Sequence, residues 1–391
     1  MENKKNETAD VLEVGRVLIS AVSSQINGET YRFSENTDFE KLYKLAERHK
    51  VTSFVAPSVI ACEVASEEIK KLFKKELFRC AARHTAQEKE TAELSKLFSE
   101  HSIKHCFLKG TKVSRYYDNP DMRFMLDIDV YVESAGVEDA KNILLKRGYE
   151  YTNSEDDKDI GYTKKPFLNI ELHKELKYDY DKGYDYYKGA FERMLSFDDG
   201  FAVSMTDEDF YVYILSHSAH HFETAGTGIR TVIDHYYLSK KLKPQCNTAV
   251  LQKALEETGL SVFDEKMSEL SRCWFDGEKP NDFVEETTDY IILSGVFGSG
   301  VNHYLSGIIR GDYTEKKSSY FLNRVFLPLY LMKNRYPILK KFPFLLPIMW
   351  AVRIISSFSN RKKYTDEAKA VKSVDKAEKD KQIEFLRRNG L

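Results

Sequence analysis

Two aspartates separated by one residue, Asp127 and Asp129, are the residues of this chain whose spacing most clearly indicates chemistry. Side chains alternate along a β-strand, so both carboxylates would share one face while Ile128 and Val130 face a core. Neighbouring carboxylates repel each other, and folding alone does not require them. Binding of Mg²⁺ does require carboxylates, because this ion is held by one or two of them together with substrate phosphates. The pair therefore predicts a divalent-metal site.

A third carboxylate follows in the strand-like run 167–175. In this run Ile170 and Leu172 would face inward, which places Glu171 and His173 together on the opposite face. This repeats the arrangement of the aspartate pair, with polar groups on the open face of an apolar strand. His173 has two interpretations: it orients a metal-bound group or the acceptor, or it is a structural histidine of the strand.

A glycine-containing turn, Lys109-Gly110-Thr111, ends the apolar run that precedes the aspartates. Glycine allows close approach of the backbone to a ligand such as a phosphate. Lys109 would neutralise phosphate charge, or would be an exposed lysine at the end of a strand. The turn is therefore a candidate phosphate-binding element.

Arg123 lies between that turn and the aspartates. A guanidinium group can hold a phosphate through two hydrogen bonds. The alternative is a structural ion pair with Asp118 or Asp121.

A later helical stretch carries three further candidates, His217, His221 and Arg230. The two histidines are four residues apart and would lie on one helix face, but no HExxH arrangement accompanies them. We expect this helix to line the cleft, with Arg230 approaching the substrate, rather than to bind zinc. Packing histidines are the alternative.

Composition limits the classes of function. The 391 residues allow two or three domains, and the net charge of −2 provides no global basic field, so sequence-specific nucleic-acid binding is not expected. Five scattered cysteines without a CxxC pair indicate neither a disulfide framework nor a zinc site. The polar N-terminus has no apolar signal-peptide core, which predicts a cytoplasmic protein.

The order of helical and strand-like patterns predicts an α+β fold. A small mixed sheet would be flanked by N-terminal helices and a C-terminal helical domain. The predicted units are an N-terminal helical region (1–102), an α/β core (103–205), a helical domain (206–324), an apolar and basic amphipathic segment (325–360) and a charged tail (361–391).

Within these units several elements have explicit expected bounds. Helices are predicted at about 8–26, at 38–50 after a cap at Thr37-Asp38, at 66–101, and after a cap at Thr206-Asp207. In the core, strands at 103–108 and 124–132 flank a short helix at 112–117. Residues 295–311, with five glycines, would form a loop, and the charged tail a mobile helix or a disordered segment.

The apolar and basic stretch 325–358 is barely long enough to cross a bilayer and contains Pro343, Pro347 and Arg353, so a transmembrane helix is not expected. Two interpretations remain. The stretch packs on the body of the protein, or it lies in the membrane interface as a peripheral contact at the inner face of the membrane.

Over residues 37–240 the chain resembles a family of uncharacterised bacterial nucleotidyltransferases related to polymerase β. The matching motifs follow in the order expected for that family: Leu45-Ala46 with His49 and Val51; Leu108-Lys109-Gly110; Tyr116-Tyr117-Asp118-Asn119-Pro120 with Arg123; Asp127-Ile128-Asp129; Gly148-Tyr149; Ile170-Glu171-Leu172-His173; and His217, His221, Arg230 and Asp234.

The chain departs from the family pattern at two places. The wider superfamily has Gly-Ser and a shorter gap at the turn, whereas here Gly110-Thr111 lies sixteen residues before Asp127. Glu171 stands where the family is expected to have aspartate. This change alters the reach by one methylene and keeps the charge.

The resemblance implies a sheet of nucleotidyltransferase type and transfer of a nucleoside monophosphate from an NTP to an unidentified hydroxyl or phosphate acceptor. Asp127, Asp129 and Glu171 would hold Mg²⁺ or Mn²⁺, and Glu171 would help to deprotonate the acceptor. The groups that would position the triphosphate are Lys109, Gly110, Thr111 and Arg123. The alternative is a non-catalytic or regulatory nucleotide-binding protein associated with the membrane surface.

Overall fold

The computed structural model describes residues 2–152, 159–177, 182–197, 200–295, 326–327, 329, 332, 336, 338–356 and 376–391. The predicted loop at 295–311 lies outside these residues except for its first glycine.

Four helices open the chain: α1 (Glu2–Ile26), α2 (Phe39–His49), α3 (Thr52–Ala61) and α4 (Glu67–Glu100). The first residues of α2 and α4 are fixed by capping side chains: Asp38 accepts a hydrogen bond from the Lys41 amide, and Ser66 accepts one from the Ile69 amide. The predicted helices of this region are therefore present.

A small mixed sheet follows, with β1 (His105–Phe107), β2 (Ile128–Val132), β3 (Glu150–Tyr151), β4 (Asp159–Lys164) and β5 (Leu168–His173). The strand order is β1-β2-β5-β4-β3. β2 and β5 are parallel, and the other neighbours are antiparallel. Between the strands lie α5 (Lys109–Ser114) and α6 (Val137–Lys146), and a separate hairpin pairs β6 (Leu195–Ser196) with β7 (Val203–Ser204).

Two predicted boundaries around the site are wrong. The presumed turn at Lys109-Gly110-Thr111 is the first turn of α5, and the short helix expected at 112–117 therefore begins three residues earlier. β2 begins at Ile128, so Asp127 precedes the strand instead of lying within it. Nearby contacts explain the second difference: Asn169 Nδ2 donates to the Leu126 carbonyl oxygen, so the residue before Asp127 is held by a side chain of β5.

The second half of the chain is helical, as predicted. Besides the short α7 (Tyr184–Tyr187), it contains α8 (Asp207–Thr224), α9 (Ile229–Lys241), α10 (Thr248–Glu257), α11 (Ser261–Phe275) and α12 (Asp282–Ser294). Thr206 caps α8 by accepting a hydrogen bond from the Asp209 amide. The fold is thus α+β, with a mixed sheet between N-terminal and C-terminal helices.

Two hydrophobic clusters hold the described part of the chain together. In the smaller one, Leu94 and Phe98 of α4 pack with α6 and with the inward residues of β2 and β5, such as Val130 and Leu172. The larger one combines side chains of α1–α3 with those of α8–α12. Helices from both ends of the chain therefore share one core, and α4 reaches both clusters through Phe73 and Leu94.

The C-terminal region contains α13 (Ile338–Lys341), α14 (Leu346–Ser356) and α15 (Lys376–Arg388). The sequence predicts a mobile helix or disordered tail at 361–391, but Phe385 and Leu386 of α15 are buried in the larger cluster. Residues 361–375 lie outside the described part of the chain. None of the helices within that part combines the length and the hydrophobicity needed to cross a bilayer.

Candidate active site

The parallel pairing of β2 with β5 brings two of the predicted carboxylates together. Asp129 is the register partner of Glu171, and Tyr131 is the partner of His173. Because residues two apart share a face, Asp129, Glu171 and His173 lie on one side of the sheet. One ligand atom from each of these three residues lies within 4.8 Å of those from the other two. Asp127 lines the same cavity but is not a member of this trio.

Asp129 is enclosed by positive groups. Its Oδ1 lies 2.8 Å from Lys109 Nζ and 2.9 Å from His173 Nε2. His173 Nδ1 lies 2.6 Å from an oxygen of Asp159, so the imidazole bridges two carboxylates. Burial opposes charge on Lys109, but the adjacent Asp129 outweighs burial and raises the pKa of Lys109. Asp129 and Lys109 thus form a buried ion pair.

The remaining carboxylates are poorly compensated. Burial, and then the charges of Asp127 and Asp129, raise the pKa of Glu171 to about 7. Burial and the Asp129 charge raise the pKa of Asp127. Burial also acts against ionisation of Asp129, but Lys109 and His173 keep its pKa below the ordinary value. With Asp159, which bonds to His173, four carboxylates therefore face two protein cations, Lys109 and His173, and this donor set fits a divalent cation such as Mg²⁺ or Mn²⁺.

These groups form the floor of a cavity of about 380 Å³. Its opposite wall consists of residues from α8 and α9. The lining side chains other than those of the floor include Lys50, Arg123, Phe124, Met125, Leu126, Leu176, Lys177, Tyr213, Ile214, His217, Ser218, His220, His221, Thr227, Arg230, Thr231 and Asp234. Apart from Asp234 of α9, the acidic lining groups thus lie on the sheet side, and most of the positive groups and histidines lie around them.

The start of α5 approaches the carboxylates closely. Lys109 has a φ of +32°, which is unfavourable for a residue with a side chain. A Cβ on Gly110 would lie 3.2 Å from Met125 Sδ and 3.5 Å from the Asp127 carbonyl oxygen, so glycine suits this crossing. Lys109 and Gly110 line the cavity, whereas Thr111 is buried and does not. The predicted contact of Thr111 with phosphate stays a prediction.

Arg123 is held by a partner that the sequence did not suggest. Its Nε and Nη2 donate to the two carboxylate oxygens of Asp234 at 2.7 and 2.9 Å, and Tyr117 also donates to Asp234. Its Nη1 donates to the Gly110 carbonyl oxygen at 3.3 Å. The ion-pair partner is therefore Asp234 on α9, not Asp118 or Asp121. Arg123 ties α9 to the start of α5.

Arg230, also on α9, is bonded differently. Its Nη1 donates to the Phe124 carbonyl oxygen at 3.0 Å, and its buried Nε has no hydrogen-bond partner among the described residues. Burial, followed by the charge of Arg123, lowers the pKa of Arg230. Arg230 lines the cavity, so an anion bound there would meet a guanidinium with unused hydrogen-bonding capacity.

His217 and His221 face the cavity from α8, and their Nε2 atoms lie 3.1 Å apart. Burial lowers the pKa of His221 to about 3 and that of His217 well below its ordinary value, with neighbouring positive groups adding to the effect. Both rings are therefore neutral at pH 7. Neither belongs to the possible metal-binding group found in the described part of the chain.

Sequence reasoning missed three cavity residues, Lys50, Lys177 and Tyr213. Lys50 follows α2 in the left-handed conformation, and its Nζ lies 5.3 Å from the centre of the Phe124 ring. Lys177 lies just beyond β5, and its Nζ is 5.0 Å from the centre of the Tyr213 ring. Lys50 had one usable signal, since it directly follows the histidine of the first matched motif.

Comparison with known proteins places the chain in a family. The model of a family described as uncharacterised nucleotidyltransferase matches residues 35–276, more than half of the 391-residue chain and more than the 37–240 that the motifs suggested. No curated protein and no solved structure matches the chain. The match confirms the resemblance and agrees with the small mixed sheet. The chain belongs to the uncharacterised nucleotidyltransferase family.

Proposed function

We propose that this protein is a metal-dependent nucleotidyltransferase that moves a nucleoside monophosphate from an NTP to a hydroxyl or phosphate acceptor. The observation that carries the proposal is the direct pairing of Asp129 with Glu171 across β2 and β5, beside Lys109 and at the floor of a cavity with basic walls. Family membership supports transfer of a nucleotidyl group as the class of reaction.

Asp129 and Glu171 would hold the cation, with Asp127 beside them, and His173, which bonds to both Asp129 and Asp159, would orient Asp129. A bound Mg²⁺ or Mn²⁺ supplies positive charge that offsets the negative charge growing on the phosphate oxygens. Asp127 was predicted from sequence as a ligand equal to Asp129. The geometry favours Asp129 as the central ligand, because it is the aspartate that belongs to the trio.

The triphosphate would be positioned by groups around the floor. Lys109 and Gly110 lie at the start of α5, next to the carboxylates, and Arg230 offers the unused part of its guanidinium group. Lys50 and Lys177 add positive charge to the same cavity. Arg123 contributes indirectly, because its pairing with Asp234 keeps α9 against the start of α5.

In the reaction, the acceptor oxygen bonds to the α-phosphorus of the NTP as the bond from that phosphorus to the pyrophosphate oxygen breaks. When the acceptor is a hydroxyl, its proton would pass to a carboxylate oxygen of Glu171. Burial and the neighbouring aspartates raise the pKa of Glu171 to about 7, and a bound cation would oppose this by favouring the ionised carboxylate, which is the form that accepts a proton. His217 and His221, neutral and on the opposite wall, would hydrogen-bond the acceptor.

The test is release of pyrophosphate from each of the four NTPs in the presence of Mg²⁺ and a panel of hydroxyl and phosphate acceptors. We expect Asp129→Asn and Asp127→Asn each to lower turnover by at least about a hundredfold, because each removes a negative charge that attracts the metal ion. Glu133→Gln is the matched control, since it neutralises an exposed carboxylate next to β2 that does not line the cavity.

The assignment fails if the wild type and both aspartate variants release pyrophosphate at the same rate. Calorimetry with Mg²⁺ and NTP separates the alternative function. Metal-dependent nucleotide binding by the wild type, without turnover on any acceptor, would identify a non-catalytic nucleotide-binding protein. Circular dichroism of each variant shows whether the fold is retained.

A further inference from the structure

Exposed apolar side chains are concentrated in the C-terminal region. Seven of the seventeen large hydrophobic residues that are exposed within the described part of the chain lie between Phe326 and Ile354. Three of them form a stripe at intervals of four residues, Phe344, Ile348 and Val352, with 75%, 55% and 41% of their surface exposed. Contiguous exposed apolar surface of this kind marks an interaction site.

The stripe lies on one continuous helical segment, a 3₁₀ turn at Pro343–Leu345 followed by α14. The other exposed positions of this segment, including Pro347, Ala351 and Ile354, are apolar as well. A helix that borders water normally presents polar side chains on its outer face. This one is anchored on its other side, where Trp350 Nε1 donates to the Leu327 carbonyl oxygen at 2.8 Å.

Charge in the sequence is strongly segregated around this segment. The fifty residues 316–365 contain eleven Lys and Arg and no Asp or Glu. The rest of the chain then has 48 basic and 61 acidic residues, a net charge of −13, although the whole chain has only −2. The apolar stripe is therefore part of a strongly basic stretch in an otherwise acidic protein.

We propose that the stripe Phe344-Ile348-Val352 docks on an anionic lipid bilayer, with α14 lying in the plane of the interface. A bilayer with acidic headgroups offers both an apolar layer for the stripe and negative surface charge for the basic stretch. A nucleic acid offers only the charge. A second copy would bring the same basic stretch against itself, which is repulsive.

The length of the segment supports an in-plane orientation. Pro343–Ser356 is 14 residues long, which corresponds to about 20 Å of helix, whereas the hydrocarbon core of a bilayer is about 30 Å thick. The segment is thus suited to partial insertion. Membrane docking is inferred from the exposed apolar side chains and the basic stretch, and it does not depend on the proposed enzymatic function.

The test is flotation of the full-length protein with vesicles of phosphatidylcholine alone and of phosphatidylcholine containing about 30% phosphatidylglycerol. We expect flotation with the anionic vesicles, weakened by high salt, and at least about tenfold weaker partition into neutral vesicles. Phe344→Ser/Ile348→Ser should lower partition into anionic vesicles by at least about tenfold.

Phe78→Ser/Val250→Ser is the matched control, because Phe78 and Val250 are similarly exposed, at 63% and 50%, on α4 and α10. It should float like the wild type, as should Asp129→Asn, whether or not the enzymatic proposal holds. The inference is overturned if the wild type does not float or if the stripe variant floats equally well. It is also overturned if gel filtration shows a dimer that only the stripe variant disrupts, without vesicle binding.

Discussion

Two positively charged groups approach one oxygen of Asp129, with Lys109 Nζ at 2.8 Å and His173 Nε2 at 2.9 Å. A buried carboxylate requires such partners, because removing its charge from water without compensation costs several kcal/mol. Asp127 and Glu171, by contrast, have raised pKa values because burial and the neighbouring carboxylates disfavour their charged forms. The electrostatic balance therefore makes Asp129 the permanent charge of the floor, and a bound cation would stabilise the charged forms of the other two carboxylates.

The two arginines of the cavity differ in what already binds them. Arg123 shares both carboxylate oxygens of Asp234 and is buried. Arg230 is held by a single hydrogen bond to the Phe124 carbonyl oxygen, while its Nε lacks a partner among the described residues. The sequence predicted a substrate contact for Arg230, and for Arg123 either a phosphate contact or a structural ion pair. The contacts now assign a structural task to Arg123 and leave a ligand-binding task to Arg230.

Methionine substitutions should separate these two tasks. We expect Arg230→Met to weaken NTP binding about ten- to hundredfold, because a charge-assisted hydrogen bond contributes about 1.5–3 kcal/mol. Its free energy of unfolding should change by less than about 1 kcal/mol. Arg123→Met should lower the free energy of unfolding by about 3–5 kcal/mol, because it leaves Asp234 buried without its partner. Calorimetry with NTP and urea unfolding measure the two effects.

The two variants serve as controls for each other, since both replace an arginine that lines the cavity by an uncharged, unbranched side chain. Equal losses of stability would contradict the division of roles. So would an Arg230→Met protein that binds NTP as tightly as the wild type.

At the scale of elements, local chemistry predicted much of the fold. Asp38 and Thr206 cap α2 and α8 as predicted, and α4, at Glu67–Glu100, lies within the predicted range 66–101. Strand alternation also predicted that Asp129 lies opposite the inward-facing Ile128 and Val130, and that Glu171 lies opposite Ile170 and Leu172, and these four apolar residues are buried in the smaller cluster. These predictions succeeded because each depends on residues within a few positions of one another.

The rest of the site depends on contacts between distant segments. Lys50 follows α2 and Lys177 follows β5, yet both line one cavity with Arg230 of α9. The partner of Arg123 is Asp234, 111 residues away, which no local pattern indicates. The predicted start of β2 was wrong in a region that also has a long-range contact: Asn169 of a later strand donates to the Leu126 carbonyl oxygen, just before Asp127. Local propensity carries no information about such long-range partners.

His49 joins three helices and thereby positions part of the cavity wall. Its Nδ1 accepts a hydrogen bond from the Ile229 amide at the start of α9, and its Nε2 lies 3.1 Å from the Ile292 carbonyl oxygen in α12. Burial lowers the pKa of His49 to about 4. His49 thus positions two residues that line the cavity: Lys50, which directly follows it, and Arg230, which directly follows Ile229.

This buried histidine predicts loss of stability in acid. In the unfolded chain its pKa is about 6.5, so below that pH the unfolded state binds a proton that the folded state excludes. The stability that depends on neutral His49 is fully present above pH 6.5 and is lost progressively as the pH decreases towards 4. With a folded-state pKa of about 4, His49 lowers the free energy of unfolding at pH 5 by about 2 kcal/mol.

His49→Gln tests this contribution, because glutamine can also accept from Ile229 and donate to Ile292 but does not titrate. Urea unfolding at pH 7.5 and pH 5 should show that the stability difference between wild type and variant changes by about 2 kcal/mol in favour of the variant at the lower pH. His101→Gln, at an exposed histidine, is the control. A constant difference between His49→Gln and wild type at the two pH values would refute the assignment.

At the scale of the whole molecule, the two ends of the chain stabilise the middle. The larger hydrophobic cluster contains Leu18 of α1, Phe222 of α8 and Phe385 of α15. The wall of the cavity that carries His217 and His221 is therefore supported by residues far outside the sheet. α15 contacts the same helix, since the Phe385 ring lies 5.8 Å from that of Phe222, the residue after His221.

The last helix should therefore be required for stability, unlike the exposed stripe on α14. Phe385 is 3% exposed and its ring lies 4.8 Å from that of Tyr290, so Phe385→Ala should lower the free energy of unfolding by about 3–5 kcal/mol through lost burial and the cavity left behind. Phe344→Ala, at a phenylalanine that is 75% exposed, is the matched control and should cost less than about 0.5 kcal/mol. Urea unfolding of the full-length variants measures both. Equal, small effects would mean that α15 does not pack on α8 in solution, and removal of residues 376–391 would then leave the cavity wall intact.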